Sequence, residues 1–229
     1  MTYETNNALD EEYKKRRNAV ERGEHLVAAF LDKYFYPAWS TIVQRYGQDD
    51  PLQIAGRDIT VLCGSTQVHI DEKATVRWIG KDLCTFAQEI SSVNSVGEEY
   101  DGWLLHFNSA SDYLLEIWID AVNNEENELN DPEDITDATV VLIKKRDLWR
   151  FLKDSGVDST ELRKIAAEMR RNEEKNRIYH GFKVVVNNKI RERVANLLIP
   201  RRLLIDFIST YAVRIHDKQI TELGLRFNN

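Results

Sequence analysis

The chain has 229 residues and carries 31 Lys and Arg against 38 Asp and Glu, a formal net charge of -7 that excludes coating of nucleic acid through bulk positive charge while leaving a local basic surface open. With 42% hydrophobic and 10% aromatic residues it has the material for a packed core, which excludes a disordered chain. No apolar run approaches the roughly 18 residues that span a bilayer, and the first residues carry no signal-peptide stretch, so a soluble, cytoplasmic protein without a membrane partner is expected. Cys63 and Cys84 lack metal-type spacing and read as reduced thiols.

Residues 1–9 read as a loose polar arm. From Asp10 to Tyr36 the residues Val20, Val27, Phe30, Leu31 and Tyr34 recur at helical intervals, and Pro37 ends the run. Glu24 falls on or beside this apolar stripe, either as an edge-of-core acid paired with a cation or as part of a site. Trp39 to Tyr46 reads as a further short helix and Gly47 to Pro51 as a loop. Gly56 to Ala74 then reads as a hairpin, two strands about a Cys63-Gly64-Ser65 turn.

Thr85–Ile90, Gly102–Phe107 and Asp112–Ile119 are expected as a third, fourth and fifth strand. An acidic loop follows from Asn123 to Asp137, and Ala138–Ile143 is a short β-branched strand. Asp147–Lys153 begins a helix that stops before Gly156, and Ser159 is the expected cap of another running to about Asn172. Phe182–Val186 is a last strand, and Pro200 opens a helix bearing Leu203, Leu204, Phe207, Ile208 and Tyr211. This order implies a mixed α/β (α+β) fold with one central mixed sheet flanked by helices. Residues 1–155 are expected as a core domain and 156–229 as an extension packed on it. No glycine-rich phosphate loop is present, so a nucleotide-cofactor enzyme is not expected.

The hairpin carries residues that strands do not favour. Alternation places Asp71 and Lys73 on one face with His69, and Ile70 and Glu72 on the other, while Asp58 opens the first strand in register with Lys73. Phosphodiester hydrolysis needs hard oxygen ligands for a divalent cation and positive charge against the transition state. Asp58, Asp71 and Lys73 supply such a set. The same residues also fit solvent-exposed charge pairs on an edge hairpin, which need no function.

A strand-borne acid followed after a hairpin by Asp/Glu-X-Lys resembles the PD-(D/E)XK nuclease superfamily, the restriction-endonuclease-like fold. Gly56-Arg57-Asp58-Ile59-Thr60 corresponds to its first motif, with Arg57 where the motif name has Pro, and Ile70-Asp71-Glu72-Lys73-Ala74 to its second. The resemblance covers roughly residues 20–155. It implies Mg²⁺ or Mn²⁺ held by Asp58, Asp71 and a third group, either Gln88 or Glu89, of which Glu89 is favoured. It further implies a Glu on the preceding helix, matched by Glu24, and a hydrolytic water positioned by Lys73.

Trp78 and Arg77, in the loop after the second motif, and His69 are candidate substrate contacts, although His69 also reads as a strand-edge histidine. Trp103, Trp118 and Trp149 sit in apolar patterns and are expected in the core. The expected partner is nucleic acid, DNA before RNA, and a homodimer would allow both strands to be cut. The competing reading is a nucleic-acid or protein interaction module that keeps the fold without turnover.

Overall fold

The computed structural model describes residues 3–122, 129–188 and 193–225. The long helix α1, Tyr3–Tyr34, begins well inside the stretch expected as an arm. β1 is Thr41–Arg45, where a helix was expected; the consecutive β-branched residues Thr41, Ile42 and Val43 suit a pleated strand, and Thr41 and Ile42 pair with Leu62 and Val61. After the four-residue helix α2, Pro51–Ile54, come β2, Ile59–Cys63, and β3, Thr66–Ala74, paired from Ile59↔Ile70 to Cys63↔Thr66. The hairpin is therefore as expected.

β4 is Thr85–Val93, β5 Glu99–Asp101, β6 Tyr113–Ala121 and β7 Ile135–Lys144. Gly102–Phe107 is not a strand. Its backbone folds into turns, with Leu105 N–H on Gly102 O and Phe107 N–H on Leu105 O, and Leu104 and Leu105 plug the core from them. α3 is Lys145–Asp154 and α4 Ser159–Arg171, the latter capped by the Asp158 carboxylate rather than by Ser159. β8, Asn176–Tyr179, β9, Phe182–Asn187, and β10, Val194–Pro200, are followed by the short helix α5, Arg201–Leu203, which runs on as a π turn to Ile208. Tyr211 opens β11, Tyr211–His216, which turns into β12, Gln219–Leu225.

These strands form two sheets, not one. The larger has the order β1-β2-β3-β6-β7-β11-β12, with β3 and β6 parallel and the other neighbours antiparallel. The smaller has the order β5-β4-β10-β9-β8 and is antiparallel throughout. The chain beyond residue 155 is woven into both, through β11 against β7 and β10 against β4, so it completes the sheets rather than packing on a finished core.

Two apolar layers follow from the two-residue period of the larger sheet. Leu115, Ile117 and Val140 face α1 and meet its Val27, Phe30 and Leu31. Leu114, Trp118 and Val141 face the smaller sheet together with α3 and α4, meeting Phe86, Ile90, Leu162 and Met169. Each fully buried aliphatic or aromatic side chain in such a layer contributes roughly 1.5–3 kcal/mol. Trp118 is buried as expected, and Trp103 and Trp149 pack half-buried against the second layer.

Candidate active site

Three local features carry the site to the far end of β3. The Asp50 carboxylate accepts the Leu52 N–H and starts α2, whose Gln53 Nε2 then donates to Asp58 Oδ1 at 3.2 Å. Asp58 N–H donates to Ile70 O at 2.9 Å, next to the last ladder pair Ile59↔Ile70. The ladder ends there, so Asp58 does not face Lys73 across it as expected. Instead Asp58 Oδ2 accepts the Glu72 N–H at 2.7 Å, and the chain end of β2 is bound to the backbone of the second motif.

The second feature is Gly56, with φ +83°. A Cβ there would stand 2.8 Å from Ser109 Oγ and 3.4 Å from Asp71 Oδ2, so only glycine lets this turn lie against Asp71. The third is Gly23 on α1, where a Cβ would stand 2.3 Å from Val76 Cγ1. This close approach brings the neighbouring Glu24 down to the sheet.

Asp71 and Lys73 share the face expected for them, and Lys73 Nζ lies 2.5 Å from Asp71 Oδ1. Glu72 points the other way and is a structural tie, accepting from Tyr36 Oη at 2.5 Å and from Arg45 Nη1 at 2.6 Å. Arg45 Nε also donates to Asp32 on α1 at 3.0 Å, which fixes the helix to β1 and β3. Glu24, Asp58 and Lys73 line one open cleft of about 150 Å³, with Gln53 and the tied pair of Arg45 and Glu72 on its wall.

On its other side Asp71 Oδ2 meets Lys145 Nζ, from the first turn of α3, at 3.4 Å. Lys145 Nζ also lies 2.7 Å from Ser109 Oγ and 2.7 Å from Ser111 Oγ. Sequence reasoning missed these three residues. The available signal was the run Lys144-Lys145-Arg146 at a helix start, where the helix dipole disfavours cations.

The charges explain the protonation preferences. Burial pushes the Asp58 carboxyl up to about 6; Lys73 opposes the shift and the negative Asp71 adds to it. Burial also raises the Glu24 carboxyl, again against Lys73. For Lys73 burial acts downward, but Asp71, Asp58 and Glu24 together outweigh it and hold the ammonium above the ordinary lysine value. Burial lowers Lys145 in spite of Asp71.

Glu89 is not brought to this cluster. Phe86 and Ile90 on β4 point into the core and Gln88 points with them, so Glu89 faces the opposite side of the smaller sheet, where it pairs in register with Asn196. Gln88 Nε2 instead donates to the carboxylate of Glu116, on β6, whose pKa burial pushes up to about 8. His69 is held by Thr60, Nδ1 to Oγ1 at 3.1 Å, and burial lowers its pKa. Arg77 and Trp78 are exposed, with Lys81 Nζ 5.0 Å from the Trp78 ring centre.

Comparison of the chain with family models, with curated proteins and with solved structures returned no match.

The donor set decides which cation the cleft suits. Among the described residues no three His, Cys, Asp or Glu side chains are gathered closely enough to form a cage. Asp58 and Glu24, however, share the cleft, their carboxyls raised by desolvation against the pull of Lys73, and Glu24 keeps an exposed side chain open to a hydrated ion. Mg²⁺ commonly keeps several waters and takes only one or two carboxylates, so this pair fits a hydrated Mg²⁺ or Mn²⁺ and does not fit an all-protein site.

Proposed function

We propose that the chain is a divalent-cation-dependent nuclease of the PD-(D/E)XK type, hydrolysing phosphodiester bonds in nucleic acid, DNA before RNA. The observation that carries the reading is the meeting of Glu24, Asp58 and Lys73 in one cleft, with Asp71 paired to Lys73 behind it. Asp58 and Glu24 hold the cation, and Asp71 keeps Lys73 charged and aimed. The bound cation supplies charge against a phosphoryl oxygen and acidifies a water.

Lys73, protonated across the working pH range, donates to the attacking water or to the phosphoryl oxygens and stabilises the charge that develops there. It is a poor base in this setting. Asp58, with its carboxyl near 6, is ionised at neutral pH and accepts a proton at little cost. The exposed Trp78 and Arg77, in the loop after β3, offer a stacking face and a phosphate contact to the incoming strand.

The test is hydrolysis of linear, plasmid and single-stranded DNA with Mg²⁺ or Mn²⁺. Lys73→Ala and Asp58→Asn are each expected to lower the rate by about 10²- to 10⁴-fold. Turnover equal to wild type in both variants sinks the reading. A second reading, an interaction module without turnover, is favoured by the pairing of Asp71 with two lysines, which satisfies that acid from within the chain. It predicts nucleic-acid binding with no cleavage under any divalent cation.

A further inference from the structure

On the other side of Lys145 from Asp71 lies a second cavity, about 400 Å³ in volume, between the Gly102–Phe107 turns and the start of α3. Its lining shares no residue with the cleft of Glu24, Asp58 and Lys73. One wall is aromatic. The Trp149 indole is anchored by Nε1 on Leu104 O at 2.9 Å, the Phe107 ring lies 5.2 Å from it, and Trp103 completes the wall. Phe107 is 61% exposed, an apolar ring that folding alone gives no reason to present to water.

The opposite wall is basic. Lys144, Lys145 and Arg146 stand at the N-terminus of α3, a ten-residue helix whose first turn no side chain caps, and one acid, Asp112, lines the cavity with them. Three cations at the positive end of a helix oppose the dipole and repel one another, and the acids that meet them, Asp147 at 3.6 Å from Arg146 and Asp71 at 3.4 Å from Lys145, offset this in part. An anion seated among them reverses the sign of both terms. Lys145 Nζ gives its three N–H groups to Ser109, Ser111 and Asp71, so it brings fixed positive charge to this wall while Lys144 and Arg146 bring the donors.

An apolar wall of flat rings facing a cluster of cations, in a volume within the usual range for small-molecule sites, fits a ligand that has an aromatic plane at one end and a phosphate at the other. We propose that this cavity binds a nucleoside 5′-phosphate, its base against Phe107 and Trp149 and its phosphate against Lys144 and Arg146, in the field of Lys145. The ligand is a free nucleotide or the phosphorylated end of a strand; the chemistry recognised is the same. The proposal does not require hydrolysis at the other cleft.

The experiment titrates the full chain with AMP, adenosine, inorganic phosphate and a 5′-phosphorylated oligonucleotide, following quenching of tryptophan fluorescence and heat release. The variants Phe107→Ala and Arg146→Glu alter exposed side chains, and an unchanged thermal transition shows that each still folds. AMP is expected to bind saturably, with adenosine and phosphate alone each at least roughly tenfold weaker. Each variant is expected to weaken AMP by about tenfold. AMP tighter than the oligonucleotide supports the cavity as a free-nucleotide site, and the reverse order supports it as a strand-end site. Absence of saturable binding by both, binding of adenosine as tight as AMP, or affinities that neither variant changes overturns the proposal.

Discussion

Asp71 on β3 and Glu116 on β6 stand on neighbouring parallel strands and face the same side of the larger sheet, with Lys73 and Glu116 paired in register. Both are buried. Asp71 has the ammonium groups of Lys73 and Lys145 on either side and a polar cleft beside it, whereas the partner of Glu116 is the neutral amide of Gln88. The one site is a set of alternating charges, three acids with Glu24 and Asp58 against two lysines. The other is a carboxyl that burial keeps protonated to about pH 8. Burial alone therefore does not set the surroundings of an acid on this sheet: one is met by two ammonium groups and the other by a neutral amide.

The largest effect is expected from making the first site resemble the second. Lys73→Ala strips a partner from a buried carboxylate and should cost about 3 kcal/mol in urea unfolding, since the exposure of part of the lysine places it at the low end for broken buried pairs. Lys73→Arg retains the charge and should recover most of that stability. A stability loss as large in the Arg variant as in the Ala variant would show that packing, not charge, governs Asp71.

Glu116→Gln sharpens the other half. The folded carboxyl titrates at about 8 against an ordinary 4.5, so the native chain binds the extra proton over that interval and stability falls as pH rises through it. Below about pH 4.5 the group is protonated in both states and costs nothing; above about pH 8 the cost is complete. The Gln variant has no such group. Near pH 4.5 it should match wild type, and near pH 9 it should be more stable, by about 5 kcal/mol at most. Parallel stability curves for the two proteins across that range would contradict the assignment.

Gly23→Ala tests whether Glu24 reaches the cluster through the close approach of α1 to Val76. Overpacking at this contact should cost about 1–3 kcal/mol and weaken cation binding, while leaving the pH dependence due to Glu116 intact. The smallest effect is expected outside both regions: Asp137→Ala breaks exposed pairs with Arg214 and His216 and should change stability by less than about 1 kcal/mol.

The hairpin read over Gly56 to Ala74 was legible because its cause is local, a period of two and a two-residue turn at Gly64 and Ser65. The common face of Asp71 and Lys73, and the turning away of Glu72, followed from the same alternation. What escaped was long-range. No local pattern announces that Thr85–Val93 leaves the sheet of the hairpin and pairs with Val194–Pro200, yet that pairing is what turns Glu89 away and directs Gln88 to Glu116. Lys145 reaches Asp71, and Ser109 and Ser111 reach Lys145, from distant parts of the chain through the placing of α3 against β6 and β7. Thr41–Arg45 was misread for a local reason, because the aromatic run before it hid the β-branched triplet.

Titration with Mn²⁺ by calorimetry, comparing wild type with Asp58→Asn across pH, tests the central claim most directly. Asn keeps the hydrogen bond to Glu72 N–H and removes the charge, so the fold is preserved while the donor is lost. Wild type is predicted to bind one Mn²⁺, more tightly as pH rises through about 6, where Asp58 ionises, and the variant to bind at least roughly tenfold more weakly with that pH dependence gone. Equal Mn²⁺ affinity in the two proteins at every pH, or no binding by wild type, would contradict the account.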